Sequence, residues 1–314
     1  MMVSILACIF FNLLQGAEAH PLSDYDPVEW VPYRLDYQGW ITVNASVNDD
    51  GPHDFIVDSG ATITSVFANL AEGQDFQPAN RGPIRILGLA SAKALPAYLL
   101  GKISVGRLKL ENHTGVILPD WAPPNTPPQG VIGLDLLTRH TVLVDADRRR
   151  LEFYSRSAKP DRRHSGWSRT ALRPLHIADQ DTPLHTVNIR IRGLDIPCVL
   201  DLGASGTIFN REALQQLQGG LYINSFGRRS STTASRVNDI FDDSDTAVAV
   251  NMSRLKIGGA TWRNKVVIVY DAEIFEALNA SSKPFCLAGM DLFTERSFIF
   301  DFENERFYIG PSGR

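Results

Sequence analysis

Apolar residues in this chain fall in short runs, each closed by Gly, Pro, Asn or Asp. Runs rich in Val, Ile, Leu and Phe with turn residues at both ends predict strands. Residues 40–47, 54–57, 102–105, 116–118, 187–191 and 266–270 are the clearest examples. Helical spacing is rare, and 64–70, 134–137 and 210–217 are the stretches that predict short helices. The expected fold class is all-β with few short helices.

The first apolar run differs from the rest. Residues 3–14 are almost wholly apolar and are followed by Ala17-Glu18-Ala19. A run of about a dozen apolar residues before an Ala-x-Ala site predicts a secretory signal peptide over 1–19. It is short for a bilayer span, which takes about 20 apolar residues. The competing readings are a buried N-terminal helix and, at Cys8, a lipoprotein site. The signal-peptide reading makes the chain an exported protein, periplasmic or secreted, with no stable membrane span.

The pattern also repeats. Phe55-Ile-Val-Asp-Ser-Gly-Ala-Thr-Ile-Thr64 parallels Cys198-Val-Leu-Asp-Leu-Gly-Ala-Ser-Gly-Thr207. Downstream, Val131-Ile-Gly-Leu-Asp-Leu-Leu-Thr138 parallels Leu287-Ala-Gly-Met-Asp-Leu-Phe-Thr294. A strand, an Asp, a charged turn and a second strand follow each, at 141–154 and 297–309, and 101–112 matches 253–264 between the motifs. Four blocks in one order predict two copies of one lobe. The boundaries drawn are 20–154 for the first lobe, 155–174 for a linker and 175–314 for the second. The linker is basic and lacks an apolar period, which reads as a solvated strap.

Composition narrows the chemistry. The 314 residues carry 31 Lys plus Arg against 35 Asp plus Glu, a net charge of -4, which argues against a nucleic-acid partner. Three Cys are too few for a disulfide scaffold or a four-Cys zinc site, and no His-Glu-x-x-His occurs, so neither a metal nor another cofactor is expected. Without Cys8, Cys198 and Cys286 remain, and a disulfide and two buried thiols fit equally. Sequons begin at Asn44, Asn112, Asn251 and Asn279, triplets that chance also supplies. Asp239, Asp242, Asp243 and Asp245 lack calcium-loop spacing and read as a solvated loop. Ser205 lacks the spacing of a nucleophile elbow.

The repeated Asp is the candidate chemistry. An apolar strand ending in Asp-x-Gly-Ala-Thr/Ser carries a carboxylate inward. Gly60 and Gly203 permit a turn that a Cβ would obstruct, while Thr62 and Ser205 place hydroxyls near the carboxylates. Two such motifs in two similar lobes predict a pseudo-twofold axis that sets Asp58 against Asp201. Two close carboxyls share one proton. The ionised member acts as general base on a water, and the protonated one donates to a carbonyl oxygen. Asp135 and Asp291 read as a cap or turn for the short helix that follows each, Asp145 and Asp301 as turn residues.

These residues are where a family resemblance lies. Asp58-Ser59-Gly60-Ala61-Thr62 with Val131-Ile132-Gly133, and Asp201-Leu202-Gly203-Ala204-Ser205 with Leu287-Ala288-Gly289, resemble the retropepsin-like aspartic proteases. The doubled layout, from about residue 40 to 309, is similar to the two-lobed pepsin arrangement. The resemblance implies two similar acid-protease lobes, a catalytic Asp58/Asp201 dyad supported by Ser59, and a peptide or protein substrate held extended between the lobes of a monomer. It also implies a β-hairpin flap over about 82–96 with its turn near Gly88, and a weaker counterpart at 225–237.

The second copy departs from the pattern. Leu202 stands where the family carries Thr or Ser, which removes one hydroxyl of a reciprocal pair joining the two loops. A buried polar group without its partner costs on the order of 1 to 3 kcal/mol. Ala288 is smaller than the usual aliphatic. The alternative is therefore a weakened or inactive peptide-binding protein on the same fold. A further alternative has Asp58 pairing with a second molecule.

Overall fold

The first Asp-bearing segment is built by the strand Asp50–Val57, which runs parallel to Gly130–Ile132 with Phe55 opposite Gly130 and Val57 opposite Ile132. The second is built the same way, with Leu194–Leu200 parallel to Cys286–Ala288 and Leu200 opposite Ala288. A further short strand flanks each pair antiparallel, Ser65–Phe67 in the first half and Ile208–Phe209 in the second. Central strands covered on both faces are apolar throughout, which is why Phe55, Ile56 and Val57, and Cys198, Val199 and Leu200, are consecutive and buried.

The computed structural model describes residues 20–89, 91–120, 127–161, 164, 166–177, 180–218, 233–238 and 244–312. Among these the chain is mostly strand with a few short helices, an all-β fold. Described strands form a thirteen-stranded sheet, an eight-stranded sheet and a two-stranded hairpin sheet. The expected 1–19 signal segment, 225–232, Arg162, Arg163, Asp239, Asp242 and Asp243 lie outside the described residues. No helix among the described residues is long and apolar enough to cross a membrane.

The larger sheet draws on both ends of the chain. The hairpin of Phe298–Asp301 and Arg306–Ile309 docks against Thr141–Asp145, with Val142 opposite Phe300 and Val144 opposite Phe298. Phe293, Phe298, Phe300 and Phe307 pack ring to ring there. They belong to one apolar core that also holds Val57, Leu200 and Leu202. Cys198 and Cys286 stand opposite each other on parallel strands and are joined by a disulfide, the first of the two readings for this pair.

Three local expectations need correction. Residues 64–70 are not one helix. Ser65–Phe67 is a strand and only Ala68–Ala71 is helical, because Val66 is paired on both sides, with Gly130 and with Ile117. The 210–217 helix is Arg211–Gln218, since the side chain of Asn210 accepts from Ala213 N–H at 2.9 Å and starts the helix rather than joining it. Inside the expected strap, Ser168–Ala171 forms an edge strand on Arg306–Ile309. Edge pairing rests on backbone hydrogen bonds and needs no apolar period.

Candidate active site

Asp58 and Asp201 each follow the last residue of their strand, and their backbone N–H groups continue the ladder, to Ile132 O at 2.9 Å and to Ala288 O at 3.1 Å. The chain then turns sharply, and the two loops meet. Gly203 N–H lies 3.1 Å from Asp58 Oδ1 and 3.0 Å from Asp201 Oδ1, within reach of both. Gly60 N–H donates to Asp58 Oδ1 at 2.7 Å and Ala204 N–H to Asp201 Oδ1 at 3.0 Å. The two carboxyl groups are close enough for each to alter the other's hold on its proton.

The glycines are required by proximity. A Cβ on Gly60 would stand 2.7 Å from the Cγ of Asp201, and one on Gly203 would overlap the carboxyl of Asp58. Each Gly therefore clears space for the carboxylate of the other loop, a reason different from the turn geometry expected.

Ser59 bridges the loops. Its hydroxyl donates to Leu200 O at 2.9 Å and accepts from Leu202 N–H at 3.2 Å. Leu202 returns no such bond; its side chain is 1% exposed and joins the apolar core. The first loop thus holds the second through a side-chain hydroxyl, and the second reaches the first through the backbone N–H of Gly203.

Both carboxyls are pushed up from the ordinary carboxylate range. For Asp58 the cause is burial, opposed by backbone N–H donors at Gly60, Gly203 and Ala61 and by the neighbouring carboxyl of Asp201. For Asp201 burial is again the largest cause, and the charge of Asp58 adds to it, so its carboxyl lies well above that range. Two such carboxyls titrate as a pair that retains one proton between them.

Behind each loop stands a second carboxylate. Thr64 donates to Asp135 Oδ1 from its hydroxyl at 2.6 Å and from its N–H at 3.0 Å, and the same hydroxyl accepts from Gly133 N–H at 3.0 Å. In the second half the Thr207 hydroxyl donates to Asp291 Oδ1 at 2.7 Å and accepts from Gly289 N–H at 3.2 Å. His113 Nε2 lies 2.7 Å from Thr64 O, and Lys265 Nζ donates to Asp291 O at 2.7 Å. Burial raises Asp291 to about 6.

These bonds correct the sequence reading. Thr62 and Ser205 are exposed and make no hydrogen bond with either dyad carboxyl. The working hydroxyls are Thr64 and Thr207, two positions on, after the loop has turned back toward the strand. Asp135 and Asp291 are not helix caps; Gly133 and Gly289 occupy the N-cap positions. Asp145 and Asp301 do accept turn N–H groups, from Arg148 and Asn304. Thr64 and Thr207 were visible as matched last residues of the repeated block.

The expected flap region is a hairpin of Ile84–Leu87 and Ala92–Leu95, with Gly88 N–H donating to Ser91 O at 2.8 Å. Its Ile84, Ile86 and Leu95 pack in one apolar cluster with Ala61 and Val131, beside the Asp58 loop. At its tip Leu89 O accepts from Glu273 N–H at 3.1 Å, on the helix Glu273–Ala277. Of the weaker counterpart at 225–237, the described part is the strand Thr233–Asn238.

A search among curated proteins finds no match. The segment that carries Asp58, Ser59, Gly60 and the Val131-Ile132-Gly133 element is similar to a known family: residues 43–136 match the Aspartyl protease family model, a stretch that ends before Asp201.

Proposed function

We propose that the chain is an exported aspartic endopeptidase, with two lobes related by a pseudo-twofold axis and a dyad of Asp58 and Asp201. The observation that carries this reading is the meeting of the two carboxyls between facing Gly-containing loops, with Gly203 N–H 3.1 Å from Asp58 Oδ1 and 3.0 Å from Asp201 Oδ1. In this reading a water lies between the carboxyls. Asp58 takes a proton from it as the oxygen attacks the peptide carbonyl, and Asp201 donates its proton to the carbonyl oxygen. Asp58 then passes its proton to the amide nitrogen as the C–N bond breaks, and Asp201 takes back a proton from a hydroxyl of the gem-diol as the carbonyl re-forms, which restores the singly protonated pair. Peptide lies extended beneath the 84–95 hairpin, adding backbone hydrogen bonds as a strand would. The lobes are 20–154 and 175–314 of one monomer, joined through 155–174.

The test is casein cleavage from about pH 3 to 7 by wild type, Asp58→Asn and Asp201→Asn. The expected profile is a bell. Activity falls on the acid side as Asp58 binds a second proton, and on the alkaline side as Asp201 loses its own. Because both groups are raised, both limbs lie above those of ordinary carboxylates. Either Asn variant is expected to lower kcat by roughly 1000-fold or more. A second reading, a peptide-binding protein without turnover, is favoured by Leu202 alone. It predicts an inert wild type that still binds unfolded casein.

A further inference from the structure

The missing grip has a direction. Ser59 holds the backbone of the second loop at Leu200 and Leu202, so that loop is secured from across the site. What Leu202 fails to supply is the equivalent hold on the first loop, the one that carries Asp58. Gly203 N–H reaches the Asp58 carboxyl, and the backbone of the first loop is fixed by other means.

His113 supplies by its side chain a bond that the second half makes by backbone, where Thr207 O accepts from Ile268 N–H at 2.9 Å. It sits on the strand Leu108–Leu118, directly after Asn112, whose φ of 49° turns the strand locally. Its side chain is 9% exposed, with Nε2 2.7 Å from Thr64 O and 3.6 Å from Asp135 Oδ2. A carbonyl only accepts, so Nε2 carries the proton and donates. The approach is made possible by Gly115, where a Cβ would stand 2.6 Å from Thr64 O. Lys265 follows Asn264, whose φ is 52°, at the matching place. It donates to the backbone of Asp291, not to the loop residue Thr207. The first loop is thus held at Thr64 through its N–H, its hydroxyl and its carbonyl.

We infer that His113 is a positioning residue for the Asp58 loop, taking over from behind the restraint that Leu202 no longer provides from across the dyad. The inference rests on the proteolytic reading for its kinetic consequence, although the restraint itself is a property of the fold. Each carboxyl needs to be placed to within a fraction of an ångström, so freeing Thr64 O lowers turnover without altering the peptide-binding surface.

The test measures kcat and KM for His113→Leu, His113→Gln, Leu202→Thr and the His113→Leu/Leu202→Thr double variant, all in the full chain. His113→Leu is expected to lower kcat about tenfold or more with KM within about twofold, and His113→Gln, which keeps an N–H donor, to restore most of it. In the Leu202→Thr background, where the cross-site hydroxyl is returned, the loss on His113→Leu shrinks to below about threefold. Equal losses in both backgrounds, or a change in KM alone, overturn the inference. Amide hydrogen exchange gives a readout that needs neither turnover nor Leu202→Thr. His113→Leu should speed exchange at 58–64 and leave 201–207 unchanged, and uniform or absent change overturns the inference. A wild type that fails to cleave casein would defeat the proteolytic reading, while the exchange pattern would still decide the role of His113.

Discussion

Asp291 is a carboxyl placed where its charge is costly. Burial raises it to about 6, against the opposing pull of Thr207 and Lys265. A group raised in the folded state binds its proton more tightly there than in the unfolded chain. The resulting stability is fully present at acid pH and lost as pH rises through about 6. Thermal unfolding is therefore expected to show Tm falling between about pH 4 and 6, with Asp291→Asn flattening that part of the profile. An unchanged slope in the variant would remove Asp291 as the cause. The size of this step is on the order of 3 kcal/mol. At this scale the sequence exposed Asp58 and Asp201, because repetition singles them out. It did not reveal which hydroxyls serve them. Thr62 and Thr64 are two residues apart in a loop, and only the folded turn decides which of them faces Asp135. Asp291 looked like a cap for the same reason, since its partner Thr207 lies 84 positions away.

The loop pair behaves as one element. Gly60 and Gly203 sit so close to the opposite carboxyls that any side chain forces the loops apart. Gly203→Ala is expected to lower kcat by roughly 100-fold or more while the chain still folds, measured by casein cleavage beside circular dichroism. Near-normal turnover would mean the loops are looser than the contacts imply. Strands were legible here because buried parallel strands are written as unbroken apolar triplets, such as Phe55-Ile56-Val57. The 64–70 stretch was misread because its apolar spacing suits a helix, whereas Val66 is claimed by two neighbouring strands. Ser168–Ala171 was missed because edge strands carry little pattern of their own.

At the scale of the whole molecule, two features tie distant parts of the chain together. One is the Cys198–Cys286 disulfide, which closes a separation of 88 residues around the Asp201 loop. In the chain-entropy view a loop of this length contributes about 4 to 5 kcal/mol. Reduction is expected to lower Tm and to open the second half, including the Asp201 loop, before the first. Differential scanning calorimetry with and without reductant measures the first effect, and hydrogen exchange the second. The odds between disulfide and free thiols could not be read from sequence, because strand register, not spacing, brings the two sulfurs together.

The other feature is the Phe298–Ile309 hairpin laid against Thr141–Asp145 in the first half of the chain. Synthesis runs from the N-terminus, and earlier segments fold as they emerge. Asp58 is made early, yet its partner Asp201 is anchored to Ala288, and the sheet that joins the halves waits for residues up to 309. A growing chain therefore carries a half-built centre until nearly all of these residues are made. On the proteolytic reading, the order of translation itself delays completion of the Asp58/Asp201 pair until the last strands are made.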